Sequence, residues 1–86
     1  MAESAPVILY GKAECHLCED AEAILARVPP DLGVTYQKVD ITASPDLFER
    51  FRYRIPVIEV PGGQTLDWPT TPEGVRRAIL ASVGAR

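Results

Sequence analysis

The chain has only two cysteines and one histidine among its 86 residues, no excess of positive charge, and no long apolar run. Each shortage excludes something. Small secreted domains stapled by disulfides carry several bridges, so two cysteines do not make such a scaffold. Two cysteines and one histidine also fall short of the four ligands of a closed structural zinc site, and His16 lies between the cysteines, where joint ligation by all three is awkward. A formal net charge of −3 leaves no basic field for nucleic-acid phosphates. The opening Met-Ala-Glu-Ser-Ala-Pro has no basic segment, and the apolar run after it, Val7 to Tyr10, is too short for a signal peptide or a membrane-spanning helix. A cytoplasmic protein is expected, folded as one domain over residues 1–86, because chains this short rarely divide. Apolar residues at 47% and charged residues at 24% match a folded domain and argue against disorder.

What is present reads as alternating strands and helices. Val7-Ile8-Leu9-Tyr10, bounded by Pro6 and Gly11, is the pattern of a strand buried on both faces. From Cys15 the period changes: Leu17, Ala21, Ile24, Leu25 and Val28 recur at three and four, acidic residues load the first turns, and Pro29-Pro30 is expected to close the helix. Pro30-Asp31-Leu32-Gly33 reads as a turn and Val34 to Val39 as a second strand. Ser44 followed by Pro45 predicts a capped helix with Leu47, Phe48 and Phe51 on one side. Val57 to Val60 and Thr65 to Asp67, joined by Pro61-Gly62-Gly63, read as a hairpin. Thr71-Pro72 opens a last helix that reaches toward Gly84. The order is β-α-β-α-β-β-α. A helical crossover implies parallel strands and a hairpin an antiparallel one, so a mixed four-stranded α/β sheet with helices on both faces is expected.

Cys15 and Cys18 stand three apart, directly after the first strand and at the start of a helix. That spacing brings two side chains to one side of a helical turn. Unpaired N–H groups and partial positive charge at a helix N-terminus favour an anion, and a thiolate is the anion that attacks disulfides.

The combination of a strand, Lys12-x-x-Cys15-x-x-Cys18, a helix, and later Ile55-Pro56 before a hairpin resembles the glutaredoxins of the thioredoxin-like fold over nearly the whole chain. Within that group, "CHLCEDAE" is similar to short bacterial-type glutaredoxin-like proteins that lack the Pro-Tyr pair between the cysteines. The resemblance implies a thiol-disulfide oxidoreductase, with Cys15 as nucleophile and Cys18 as resolving thiol. It implies a cis Pro56 set against the cysteine pair, an Ile55 backbone that pairs with the substrate chain, and Lys12, His16 and Leu17 beside the substrate. Lys12 would help to hold glutathione and favour the thiolate, or else be a solvated lysine; His16 would tune Cys15 or do nothing. The implied partners are disulfide-containing proteins or glutathione mixed disulfides, with glutathione or a thioredoxin reductase system as reductant. A monomer with no bound cofactor and no metal is expected.

Some positions depart from the pattern. Arg54-Ile55-Pro56 stands where glutaredoxins show Thr-Val-Pro, and Leu66 to Thr71 replaces the Gly-Gly and acidic residues that bind the amino end of glutathione. The N-terminus of the last helix still offers N–H donors to a carboxylate. Thioredoxins carry Gly-Pro between the cysteines and a buried Asp on the preceding strand, and this chain has neither. Arg50, Arg52 and Arg54 read either as a surface that steers an acidic partner or as a solvated face. Tyr10 and Trp68 read as packing residues. Two other functions remain open: a dimer sharing an iron-sulfur cluster through cysteine and glutathione, as some glutaredoxins do, and a redox-inert binding domain on the same fold.

Overall fold

The computed structural model describes residues 5–84; the opening segment 1–4 lies outside it. The first strand, β1 (Val7–Gly11), buries Val7, Leu9 and Gly11 on one face and half-buries Ile8 and Tyr10 on the other. It is central in a sheet ordered β2-β1-β3-β4, where β2 is Tyr36–Asp40, β3 is Val57–Glu59 and β4 is Thr65–Asp67. The helical crossover makes β1 and β2 parallel, with Tyr10 opposite Val39. The β1/β3 and β3/β4 pairs are antiparallel, with Tyr10 opposite Val57 and Val57 opposite Asp67. In the β3/β4 turn Gly62 and Gly63 both take φ near +100°, a region that only glycine enters freely.

Two apolar cores sandwich this sheet. On one face Val7, Leu9, Ile58 and Val60 meet Ala21 and Leu25 of α1 (His16–Leu25), Val28 of α2 (Val28–Asp31), and Val75 and Ile79 of α4 (Pro72–Gly84). On the other face Val57 and Tyr10 meet Ile41, from a single 3-10 turn, and Phe51 of α3 (Pro45–Phe51). Tyr10 stacks on Phe51 with ring centroids 4.6 Å apart. No polar or charged side chain is buried among the described residues. Both expected caps form: Ser44 Oγ accepts the Leu47 N–H, and Thr71 Oγ1 accepts the Gly74 N–H.

The structure differs from expectation in a few places. Pro29 and Pro30 do not end α1, which stops at Leu25; they lie in the first turn of α2, where a missing N–H costs nothing. Val28 therefore belongs to α2. The second strand starts at Tyr36 rather than Val34, although Val34 is buried and Thr35 accepts the Val7 N–H. The third strand ends at Glu59, one residue early, with Val60 still in the core. Leu17 does not join the buried stripe of α1, which is Cys18, Ala21 and Leu25; it lies about 100° round the helix from Cys18 and is 49% exposed. Phe48 stays exposed for the same geometric reason, while Leu47 and Phe51 turn inward.

Candidate functional site

Everything that positions the cysteine pair follows from where β1 stops and α1 starts. After Gly11 the chain turns through Lys12, Ala13 and Glu14, and Glu14 takes φ of 58°, a left-handed conformation that side chains other than glycine disfavour. Cys15 follows in extended conformation as the N-cap of α1, and its Sγ accepts the Cys18 N–H at 3.1 Å. The two cysteines form a disulfide with Cα atoms 5.2 Å apart, within the range such bonds occupy.

The two sulfurs are not equivalent. Cys15 is half-buried, whereas Cys18 is only 7% exposed and shares the buried stripe of Ala21 and Leu25. Cys18 rests on Gly11: a Cβ at that glycine would come within 2.9 Å of Cys18 Sγ and 3.2 Å of its Cβ. Sequence reasoning used Gly11 only as a strand boundary. A glycine at the last position of a buried strand, four residues before a cysteine, was the available sign of a close approach.

The other expected residues divide. Lys12 is exposed and lines, with both cysteines, a groove of about 380 Å³. That groove lies on the β2 side of the pair, bounded also by Glu19 and Glu22 of α1 and by Lys38 and Asp40 of β2. Lys38 and Glu22 form an exposed ion pair at 3.3 Å. The Asp40 carboxylate accepts the Thr42 hydroxyl and N–H, which hold its pKa below the usual carboxylate range. His16 is free in solvent, its side chain 97% exposed and its Nδ1 3.8 Å from Glu19. Leu17 faces solvent beside the pair.

Ile55 and Pro56 are outside the groove but at the same end of the sheet, because Tyr10 opposite Val57 sets the residues that follow β1 beside those that precede β3. The Ile55–Pro56 bond is cis. The Ile55 side chain packs into the core around Phe51, and its N–H donates to the Phe51 carbonyl at 3.0 Å. Among the described residues no backbone N–H donates to the Ile55 carbonyl. A second cis bond, Trp68–Pro69, follows β4 and had no sequence signal. Trp68 packs on the main core, as expected of a packing residue, and Asp67 pairs with Arg54 at 2.9 Å.

Among the described residues no group of three or more His, Cys, Asp and Glu is placed to hold a metal ion, and no helix is long and apolar enough to cross a membrane. Chemically, an accessible sulfur at a helix N-terminus with a second sulfur in covalent reach can cycle between dithiol and disulfide.

Comparison with known proteins agrees with this geometry. The family model described as a glutaredoxin-like domain (DUF836) matches residues 6–80. Two determinations of a structural-genomics target, XcR50 from X. campestris, are similar. The X-ray structure is 31% identical with a TM-score of 0.76, covering 87% of this chain and 96% of that one. The solution structure is 30% identical with a TM-score of 0.75, covering 90% and 95%. No curated protein matches.

Proposed function

Since the chain belongs to the glutaredoxin-like family, we propose that it is a thiol-disulfide oxidoreductase that reduces or exchanges protein disulfides or glutathione mixed disulfides. The observation that carries this reading is the asymmetry of the pair: Cys15 is reachable and caps α1, while Cys18 is buried one turn further on.

In the reduced protein the Cys18 N–H and the α1 N-terminus favour the Cys15 thiolate. That thiolate attacks one sulfur of the substrate disulfide; the substrate S–S bond breaks, the departing thiolate takes a proton, and a Cys15 mixed disulfide forms. Cys18, deprotonated in turn, attacks the Cys15 sulfur and displaces the second substrate thiol. Two electrons have then passed to the substrate, and Cys15–Cys18 is closed, the state seen here. A thiol reductant, glutathione or a thioredoxin reductase system, reopens the pair. Burial of Cys18 keeps outside disulfides from it but not the adjacent Cys15 sulfur. The Ile55 carbonyl, at the same end of the sheet, and the exposed Lys12 are the groups assigned to orient a substrate chain. A cytoplasmic, reducing setting suits such a cycle.

The test is a pair of serine variants. Cys15→Ser should abolish reduction of any disulfide, and Cys18→Ser should retain the first attack and accumulate mixed disulfides visible by intact mass. Full activity of Cys15→Ser would remove the proposal, and iron or colour in the purified protein would favour a shared cluster instead.

A further inference from the structure

One feature of the surface has no part in the cycle above. Residues 50–54 read Arg-Phe-Arg-Tyr-Arg, which places three of the nine basic residues in five positions. They contribute +3 to a chain whose net charge is −3, so the remainder carries −6. The segment is the end of α3 and the turn that runs straight into Ile55–Pro56, at the cysteine end of the sheet. On the other side of Cys15 the exposed charges are mainly acidic, Glu14, Glu19 and Asp20 against Lys12, with Lys38 already paired to Glu22.

These arginines are held rather than loose. Arg50 and Arg54 lie over the Phe51 ring at 4.9 and 5.4 Å, and Arg52 lies over Phe48 at 5.3 Å and Tyr53 at 4.6 Å. Arg54 is occupied by Asp67, whereas among the described residues no carboxylate pairs with Arg50 or Arg52. Tyr53 is 85% exposed, so folding does not account for its ring. Stacked arginine beside exposed aromatic side chains is the composition of binding hot spots, and preorganised side chains lose less entropy on binding.

We propose that Arg50, Arg52 and Tyr53 form a docking surface for a disulfide-bearing partner protein with acidic residues beside its reactive cysteine. This rests on the exchange reading above. The occupant follows from charge complementarity: two guanidinium groups with no carboxylate partner among the described residues, one of them donating to the Tyr53 hydroxyl, and the Tyr53 ring match a short acidic stretch with one apolar side chain. A long polyanion such as nucleic acid would meet the negative remainder of the surface. The acidic side of Cys15 then fixes which way the partner's charges must run.

The test uses two disulfide-bridged peptides, identical except for Asp-Glu or Asn-Gln beside the cysteine, and a small uncharged disulfide, hydroxyethyl disulfide. The second-order rate at which each oxidises the pre-reduced protein is measured at low and high salt. The acidic peptide should react about tenfold faster at low salt, with the advantage shrinking as salt rises. The Arg50→Glu/Arg52→Glu variant should reverse that preference, and Tyr53→Ala should weaken it, while the rate with the uncharged disulfide stays unchanged and shows the variants to be folded. Equal rates with the two peptides alongside normal reaction with the uncharged disulfide would overturn the docking surface and leave the exchange chemistry standing. No reaction with any of the three would overturn both. Binding of a single-stranded oligonucleotide that the double variant loses would reassign the surface to nucleic acid.

Discussion

Replacing Gly11 by alanine tests how closely the sheet is fitted to the cysteine pair. The new Cβ would be 2.9 Å from Cys18 Sγ and 3.2 Å from Cys18 Cβ, against an optimum of about 3.5–4.0 Å for carbon contacts. Neither partner yields easily: Sγ is fixed by the bond to Cys15, and Cβ by the packing of α1. Overpacking of this kind costs roughly 1–3 kcal/mol, offset by the roughly 0.5–1 kcal/mol that alanine gains over glycine within a strand. The net runs from about 0 to 2.5 kcal/mol, centred on a loss of about 1 kcal/mol, or roughly 4–8 °C in Tm at that centre for a chain of this size. The loss should depend on redox state. Once reduced, the Cys18 side chain is free to move to another staggered rotamer and relieve the sulfur contact, though not the one to Cβ. The disulfide is therefore disfavoured relative to the dithiol, and the potential of the pair should become less negative by up to about 30 mV, at about 1.4 kcal/mol per 30 mV. Thermal melts of both redox forms, with equilibration in glutathione buffers, measure the two effects. Placing Gly11→Ala on a Cys18→Ala background should shrink the loss, as a double-mutant cycle requires. An alanine variant as stable as the parent in both redox forms, with an unchanged potential, would refute the reasoning.

Two further outcomes follow from the region around the site. Burial raises the Tyr10 pKa first, and the hydrogen bond to Glu59 at 2.9 Å and the Glu59 charge raise it further, with Arg50 opposing. The phenol is thus harder to ionise in the folded chain, so its contribution is intact below about pH 10 and lost as pH rises through that value toward the folded pKa. Tyr10→Phe should flatten the alkaline limb of a stability curve taken from about pH 8 to pH 11; an unchanged limb would show that Tyr10 does not set it. Glu14→Gly should stabilise the protein by about 1 kcal/mol by releasing a left-handed backbone. A lower urea midpoint for that variant would mean that the glutamate side chain offsets the backbone cost.

The sheet was legible because strand and helix periods alternate cleanly along the chain and the helices α3 and α4 each carry their own start signal. Ser44 and Thr71 are caps in the sequence and caps in the structure. The proline pair was legible as punctuation but not in its sense, since proline both ends one helix and suits the first turn of the next. Leu17 and Phe48 show the limit of periodicity: a band of apolar positions is wider than the line of residues a sheet can cover, and only the packing decides which ones it takes. At the site, the cysteine spacing was sufficient to find the pair. The left-handed Glu14 had no marker, because the residue types that advertise such a conformation are glycine and asparagine. Nor did sequence predict that the Ile55 N–H would be taken by Phe51, as that depends on how α3 unwinds into the next strand.

The unequal cysteines have a cause in the fold that is independent of any chemistry. Helix α1 must bury one stripe to hold the main core together, and with Ala21 and Leu25 in that stripe, helical geometry puts position 18 in it as well. Position 15 lies just outside the helix as its cap, facing the exposed turn. A pair spaced at three across a helix start is therefore divided into one packed and one reachable sulfur by the same contacts that stabilise the domain. Moving the pair one residue along the chain would break this. A cysteine at the place of Leu17 would face solvent, as Leu17 does, and its partner at the place of Glu14 would need the left-handed backbone found there. Neither sulfur would then be protected, so core packing, more than the Cys-x-x-Cys spacing alone, is what leaves one sulfur packed and the other reachable.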